Sequence, residues 1–241
     1  MSAVTTVPPP IERPQPIRWT VTQFHRMQSA GIIPNQRLML LGGVIIEQHH
    51  GDPTHPGPRP LRFSREQFTL LTELGFLDGR RVQLIFGEVV EMPRQNWAHV
   101  LSKKKAATEL GRAFDGVGWV NEQSPLPTSD SDPEPDVAVI PGRIEDYSDH
   151  PERALLVVEV SDSTLNYDLT TKAELSATAG VPEYWVLDVN GRELHVYRDP
   201  VTLAAGLGAT AYRSHTPHPP TATVSPLAAP TASVAVADLL P

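Results

Sequence analysis

The sequence predicts an α/β fold, a mixed sheet flanked by helices, and three observations carry that prediction. Ala154–Ser161 (ALLVVEVS) is β-branched and apolar nearly throughout, the pattern of a central strand covered on both faces. A helical pattern over Asp168–Ala179, stopped by Gly180, separates it from two further strands, Glu183–Asp188 and Glu193–Arg198, which turn at Asn190-Gly191. The third observation is where proline falls. Of 25 prolines in 241 residues, 10 lie in residues 1–60, 9 in 61–200 and 6 in 201–241, so only the middle has ordinary composition. A stretch of that size buries one good core, which predicts one domain with appendages.

The elements follow in order. Residues 1–16 read as a disordered proline-rich tail. From Arg18 an internal repeat begins: the segment starting there aligns without a gap on the one starting at Arg62, at an offset of 44. The alignment sets Phe24 on Phe68, Gly31 on Gly75, Arg37 on Arg81, Leu40 on Leu84, Gly43 on Gly87, Glu47 on Glu91 and His55 on His99. Each copy predicts a short helix (Val21–Ala30; Arg65–Leu74), a glycine stop, and two strands pivoting on Gly43 or Gly87. Residues 17–60 are therefore read as a diverged duplicate of the helix-hairpin segment that opens the core at 61–200. Asn96–Phe114 spaces Val100, Ala107, Leu110 and Phe114 as a helix. A strand near Trp119–Glu122, a loop Ser124–Pro135, a short strand Asp136–Ile140 and a polar loop Pro141–Arg153 lead to the central strand. The extension 201–241 is rich in Ala, Thr and Pro; disorder is expected around 214–230, and only its last turn, Val234–Leu240, is expected to dock.

Composition removes several classes. A net charge of −8 argues against a strongly basic nucleic-acid coat, though not against a local basic groove. With no cysteine there is no disulfide framework, no thiolate nucleophile and no cysteine zinc site. Apolar runs such as Leu155–Val158 are far below membrane-spanning length, and Met1–Pro16 lacks a signal-peptide core, so a cytoplasmic protein is the expectation.

Glu159 is the most informative residue. A carboxylate between buried aliphatics is costly unless paired or bound to a cation, and such groups concentrate at functional sites. A structural salt bridge is the plainer reading. Asp136 opens a short apolar strand after Pro135, where an aspartate is ordinarily a turn residue. If adjacent strands bring it to Glu159, the pair makes an oxygen-only site for Mg²⁺ or Mn²⁺, completed by the Val160 backbone carbonyl and waters. Lys172 shares a helix face with Leu175, Ser176 and Ala179, so it either snorkels outward or is held against the sheet for a purpose. Weaker signals are the loop His49, His50, Asp52 and His55, which could bind zinc or simply be exposed, and Lys103–Lys105, which could meet phosphates or form a solvated helix face. His99, one turn before Lys103, could face the site or its rim. Trp97 and Trp119 are core or stacking residues. No phosphate-binding glycine motif supports a nucleotide cofactor.

Asp136, then Glu159 in a buried strand, then a lysine on the next helix resembles the PD-(D/E)XK nuclease superfamily, and within it the Uma-two family of restriction endonuclease-like proteins. The resemblance rests on PEPDVAVIPG (133–142), LLVVEVSDSTLNYDLTTK (155–172), AGVPEYWVLD (179–188), ELHVYRDP (193–200) and VAVADLLP (234–241), with RRVQLIFGEVVEMP (80–93) upstream. It implies a restriction endonuclease-like core, Asp136 and Glu159 as metal ligands, Lys172 as the catalytic lysine, Glu88 and His99 in supporting positions, Mg²⁺ as cofactor, DNA as substrate and a homodimer. Lys172 takes the place of a lysine two residues after the glutamate, where this chain has Ser161. The chain departs from the family where Gln83 and Phe86 stand at usually acidic positions and Ser176 at a usual tyrosine; the first repeat has Met39 and Val44 at the acid positions. Those losses support an alternative, a catalytically eroded nuclease-fold module that binds nucleic acid or a protein partner.

Overall fold

The computed structural model describes residues 13–48, 57–203 and 210–241. The zinc reading of His49, His50, Asp52 and His55 lies outside them. In chain order the elements are β1 (Gln15–Pro16), α1 (Val21–Ser29), β2 (Leu38–Leu41), β3 (Val44–Glu47), β4 (Arg59–Pro60), α2 (Arg65–Glu73), β5 (Val82–Ile85) and β6 (Glu88–Glu91). After α3 (Trp97–Ala113) come β7 (Gly118–Glu122), β8 (Val137–Pro141) and β9 (Leu156–Ser161). A helical run follows, made of α4 (Leu165–Tyr167), a π-turn (Asp168–Lys172) and α5 (Ala173–Thr178). The chain ends with β10 (Glu183–Asp188), β11 (Glu193–Thr202), β12 (Thr210–His218), β13 (Thr223–Val224), β14 (Val234–Ala235) and α6 (Val236–Leu239). Among the described residues no helix is long and apolar enough to cross a membrane.

The main sheet has six strands in the order β12-β11-β10-β9-β8-β7. Only β9 and β10 run parallel, because the helical run between them carries the chain back across the sheet. Every residue of β9 is buried, which is why its sequence shows no polar alternation. One face, with Val137, Val139, Leu156, Val158 and Val160, packs on Ala106 and Leu110 of α3 and on Phe114 at its C-terminal cap. The opposite face, with Ala138, Val157 and Val186, packs on Ala173 of α5 and on Val181.

The helix-hairpin segments fold as their pattern predicts. Each helix has nine residues and a capping box, Thr20 with Gln23 and Ser64 with Gln67. The second hairpin, β5–β6, is also pinned beside the sheet: Phe86 N–H donates to Ser131 Oγ at 2.8 Å, and Asp132 N–H donates to the Leu84 carbonyl at 2.8 Å.

Two expectations about the ends are corrected. Gln15 and Pro16 pair with Glu91 and Val90, so ordered structure begins within the expected tail. The stretch around 214–230 is not disordered. Thr210–His218 completes the sheet as an edge strand, where proline is tolerated, because β11 would otherwise leave a row of unpaired backbone groups. Beyond it the chain is tied by Glu183, fully buried in β10: its Oε2 accepts from Leu227 N–H at 2.7 Å, while Arg198 bridges its Oε1 and the Ser225 carbonyl. Val236 and Leu239 then close the core over α3.

Because Leu239 is fully buried, Leu239→Ala is expected to cost about 2–5 kcal/mol. A denaturant midpoint unchanged from wild type would show that the extension is not part of the cooperative core.

Candidate active site

β8 and β9 are antiparallel with Val137 opposite Val158, so one further step of the register sets Asp136 across from Glu159. Partners across an antiparallel pair share a sheet face. Both carboxylates therefore sit on the face that carries α5. The π-turn Asp168–Lys172 widens the helical run there and brings Lys172 inward; such bulges recur at functional sites. Lys172 Nζ donates to Glu159 Oε1 at 2.8 Å. Asp136, Glu159, Lys172 and Asp168 are each no more than 4% exposed.

Asp136 is held from three sides. Its Oδ2 accepts from the Val160 backbone N–H at 2.9 Å, and its Oδ1 accepts from Gln95 Nε2 at 2.9 Å and lies 3.0 Å from His99 Nε2. Since a carboxylate only accepts, His99 donates from Nε2. Asn96 caps α3 by accepting from His99 N–H, which fixes the turn that aims the imidazole. Burial pushes the Asp136 carboxyl up, but His99, Lys172 and the Val160 amide outweigh it and hold the group below its ordinary value. Glu159 behaves oppositely: burial dominates and, with Asp136 and Asp168 near, pushes it up to about 8 despite Lys172. Burial also pushes Asp168 up, against the pull of Lys172 and a hydrogen bond from Thr164. For Lys172 burial pulls the other way, yet Glu159, Asp168 and Asp136 together raise it, so the ammonium stays charged at neutral pH.

These groups line one cleft with Arg81, Arg94, Gln95, Asp162 and Thr164 at its rim. The arrangement has more buried carboxyl groups than ammonium groups, beside Arg94, which is exposed, and Arg81, which donates to the Pro93 carbonyl at 3.3 Å. Its carboxyl oxygens are of the type that ligates hard cations.

The family model described as "Uma2: Putative restriction endonuclease" matches residues 65–237. The chain belongs to this family. A crystal structure of a "putative nuclease belonging to DUF820" from Anabaena variabilis ATCC 29413 matches with a TM-score of 0.58 at 14% identity, covering 75% of this chain and 97% of that one. At that identity the likeness is one of fold, and the mixed sheet flanked by helices is the restriction endonuclease-like one. No curated protein matches the chain. The Uma2 span includes Asp136, Glu159 and Lys172 and begins after the first helix-hairpin segment.

The remaining expected residues are placed as follows in this Uma2 chain. His99 joins the cleft, but Glu88 lines the crevice between the two hairpins, with Ile17 and Ile45. Val160 meets the site through its amide. Gln83 is buried, donating to the Glu134 carbonyl at 3.1 Å, with its Oε1 unpartnered. Ser176 lies behind Glu159 and Lys172 in a mostly apolar crevice with Leu126, Val157 and Val181. The three lysines do not form one row, and only Lys104 is mostly exposed. Lys103 is buried against Gln123, Lys104 pairs with Glu122, and Lys105 donates to the Leu240 carbonyl. Trp119 packs edge-on against Tyr147, whereas Trp97 is 76% exposed. Sequence reasoning missed Asp168, Gln95 and Arg81. Asp168 had a readable signal, since it lies one helical turn before Lys172; Gln95 and Arg81 had none.

The pH dependence of stability follows from Glu159. Between 4.5, its ordinary value, and about 8 the folded chain holds a proton that the unfolded chain releases, so the Glu159 contribution falls as pH rises through that window. In the presence of a chelator, the denaturant midpoint of wild type is expected to decline relative to that of Glu159→Gln between about pH 5 and about pH 8. Parallel profiles would contradict the burial argument.

Proposed function

We propose that the chain is a metal-dependent DNA endonuclease whose site is Asp136, Glu159 and Lys172. The observation that carries this is their convergence at one sheet end, where Lys172 Nζ lies 2.8 Å from Glu159 and Asp136 stands across from Glu159, one register step beyond the Val137–Val158 pair. The donor set fits Mg²⁺ or Mn²⁺. Asp136 and Glu159 offer only oxygen, Asp168 adds negative charge, and a cavity of about 20 Å³ in the cleft has room for a water-sized body. Among the described residues no cluster of three or more His, Asp or Glu side chains is arranged to hold a metal, so the two carboxylates would be completed by the Val160 carbonyl and water. Bound there, the ion would supply Lewis-acid charge and an acidified water.

The protein's own groups have separable roles. Lys172, charged and fixed by Glu159, would act as a cation that orients an attacking water and offsets charge growing on a phosphate oxygen, not as a base. His99 and Gln95 would hold the Asp136 carboxylate in place. Arg81 and Arg94 at the rim would meet backbone phosphates. Trp97, exposed two residues after Gln95, would stack on a base or sugar.

Asp136→Ala or Glu159→Ala is expected to abolish Mg²⁺-dependent cleavage of DNA, and Lys172→Ala to slow it by about a hundredfold or more. Full cleavage by both aspartate and glutamate variants would sink the assignment. Calorimetric Mg²⁺ binding is expected to tighten from about pH 6 to about pH 8, since the ion must displace the Glu159 proton, and to vanish in Glu159→Gln. The eroded-module reading is favoured by Gln83 at an acidic family position; an absence of Mg²⁺ and Mn²⁺ binding to wild type would support it.

A further inference from the structure

The two helix-hairpin segments meet face to face, and their contacts come in pairs related by the 44-residue offset. Within each segment Trp19 N–H donates to the Gly43 carbonyl at 2.8 Å and Phe63 N–H to the Gly87 carbonyl at 2.7 Å. A Cβ on Gly43 would come within 3.0 Å of Arg18, and one on Gly87 within 2.8 Å of Arg62. Between the segments the contacts are reciprocal. Ile17 N–H donates to the Val89 carbonyl at 2.9 Å, and Leu61 N–H to the Ile45 carbonyl at 2.8 Å. Each segment thus lays its lead-in strand on the other's hairpin, β1 on β6 and β4 on β3. Trp19 and Phe63, equivalent under the offset, touch with ring centroids 5.8 Å apart, as residues beside a two-fold axis do. Met27 with Leu71, Ile33 with Leu77 and Ile45 with Val89 fill a shared core separate from that of the six-stranded sheet.

Self-complementary contact, in which residue i meets j while j meets i, is the signature of a two-fold interface between identical chains. Here one chain supplies both halves, and the Uma2 match begins after the first half. We propose that residues 13–47 stand in for a second copy of the chain's own 57–91 segment. The face formed by Phe63, Leu71, Leu77 and Val89 is a homodimerisation surface that this chain closes with a built-in partner. The partner that fits the surface is a second copy of the same segment, since the same apolar pairs and the same exchanged lead-in strand complete it. The proposal is independent of the nuclease chemistry.

The chain has no cysteine, so Phe63→Cys places a single thiol beside the pseudo-axis. In the otherwise intact full chain Trp19 covers it, and a short bismaleimide is expected to join no two chains. Gly43 has φ +81° and abuts Arg18, so Gly43→Val disables the first segment's turn without touching the nuclease core. In that background most of the protein is expected to crosslink to twice the 26.4 kDa chain mass. Met27→Asp, which buries a charge in the first segment's half of the core, should give the same product. Native circular dichroism with no crosslinked dimer in either background would overturn the proposal, as would equal crosslinking in the intact chain. Loss of the whole fold in both would overturn it too, because a second segment able to recruit its own copy survives the loss of its stand-in.

Discussion

One ammonium enclosed by three carboxylates is the constraint around which the rest of the structure is arranged. Each of these groups loses water on folding, and a charge left alone at that depth would cost several kcal/mol. The chain spreads this cost over fixed partners. Asp136 is matched by a backbone amide, an imidazole and a side-chain amide, and Lys172 is matched by Glu159 and by the carboxylate of Asp168. What remains is a cleft with more carboxyl groups than ammonium groups, whose negative charge develops as Glu159 gives up its proton.

The fold supplies the partners from elements that have no other reason to meet. β8 and β9 give the carboxylates a common face through their register. The π-turn sets Lys172 against that face, and the loop entering α3 and its first turn bring Gln95 and His99 to the sheet end. The β5–β6 hairpin, fastened to the loop before Asp136, carries Arg81 to the rim. That hairpin belongs to a second core, shared with residues 17–47, so the stiffness of one wall of the cleft depends on packing outside the six-stranded sheet.

Much of this was legible. The continuous aliphatic run of β9 gave a buried central strand, and Glu159 within it was conspicuous because polar groups are rare there. Asp136 and Lys172 were readable from family spacing more than from physics. Asp168 carries little signal of its own, because an acid at a helix start is ordinary. Gln95 and Arg81 carry no local signal at all. The lysines at 103–105 misled for a related reason: a run of like residues on a helix points in several directions, and only the neighbouring strand and the C-terminal residues decide what each one meets. The extension misled because its Ala, Thr and Pro content describes its weak local propensity, whereas its order comes from the open edge of β11 and from Glu183.

By itself, the sequence determined the alternation of strands and helices, the offset between the two helix-hairpin segments, and the presence of a carboxylate too deep in an apolar strand to be incidental. These are properties of short windows, set by side-chain periodicity and desolvation. The tertiary structure alone decided which groups share the cleft, that the lysine sits on a widened helical turn, that each segment exchanges its lead-in strand with the other, and that the last thirty or so residues complete the sheet and core. Those outcomes depend on strand register and on unpaired edges far apart in the chain, and a local reading of residues does not encode the distance between them.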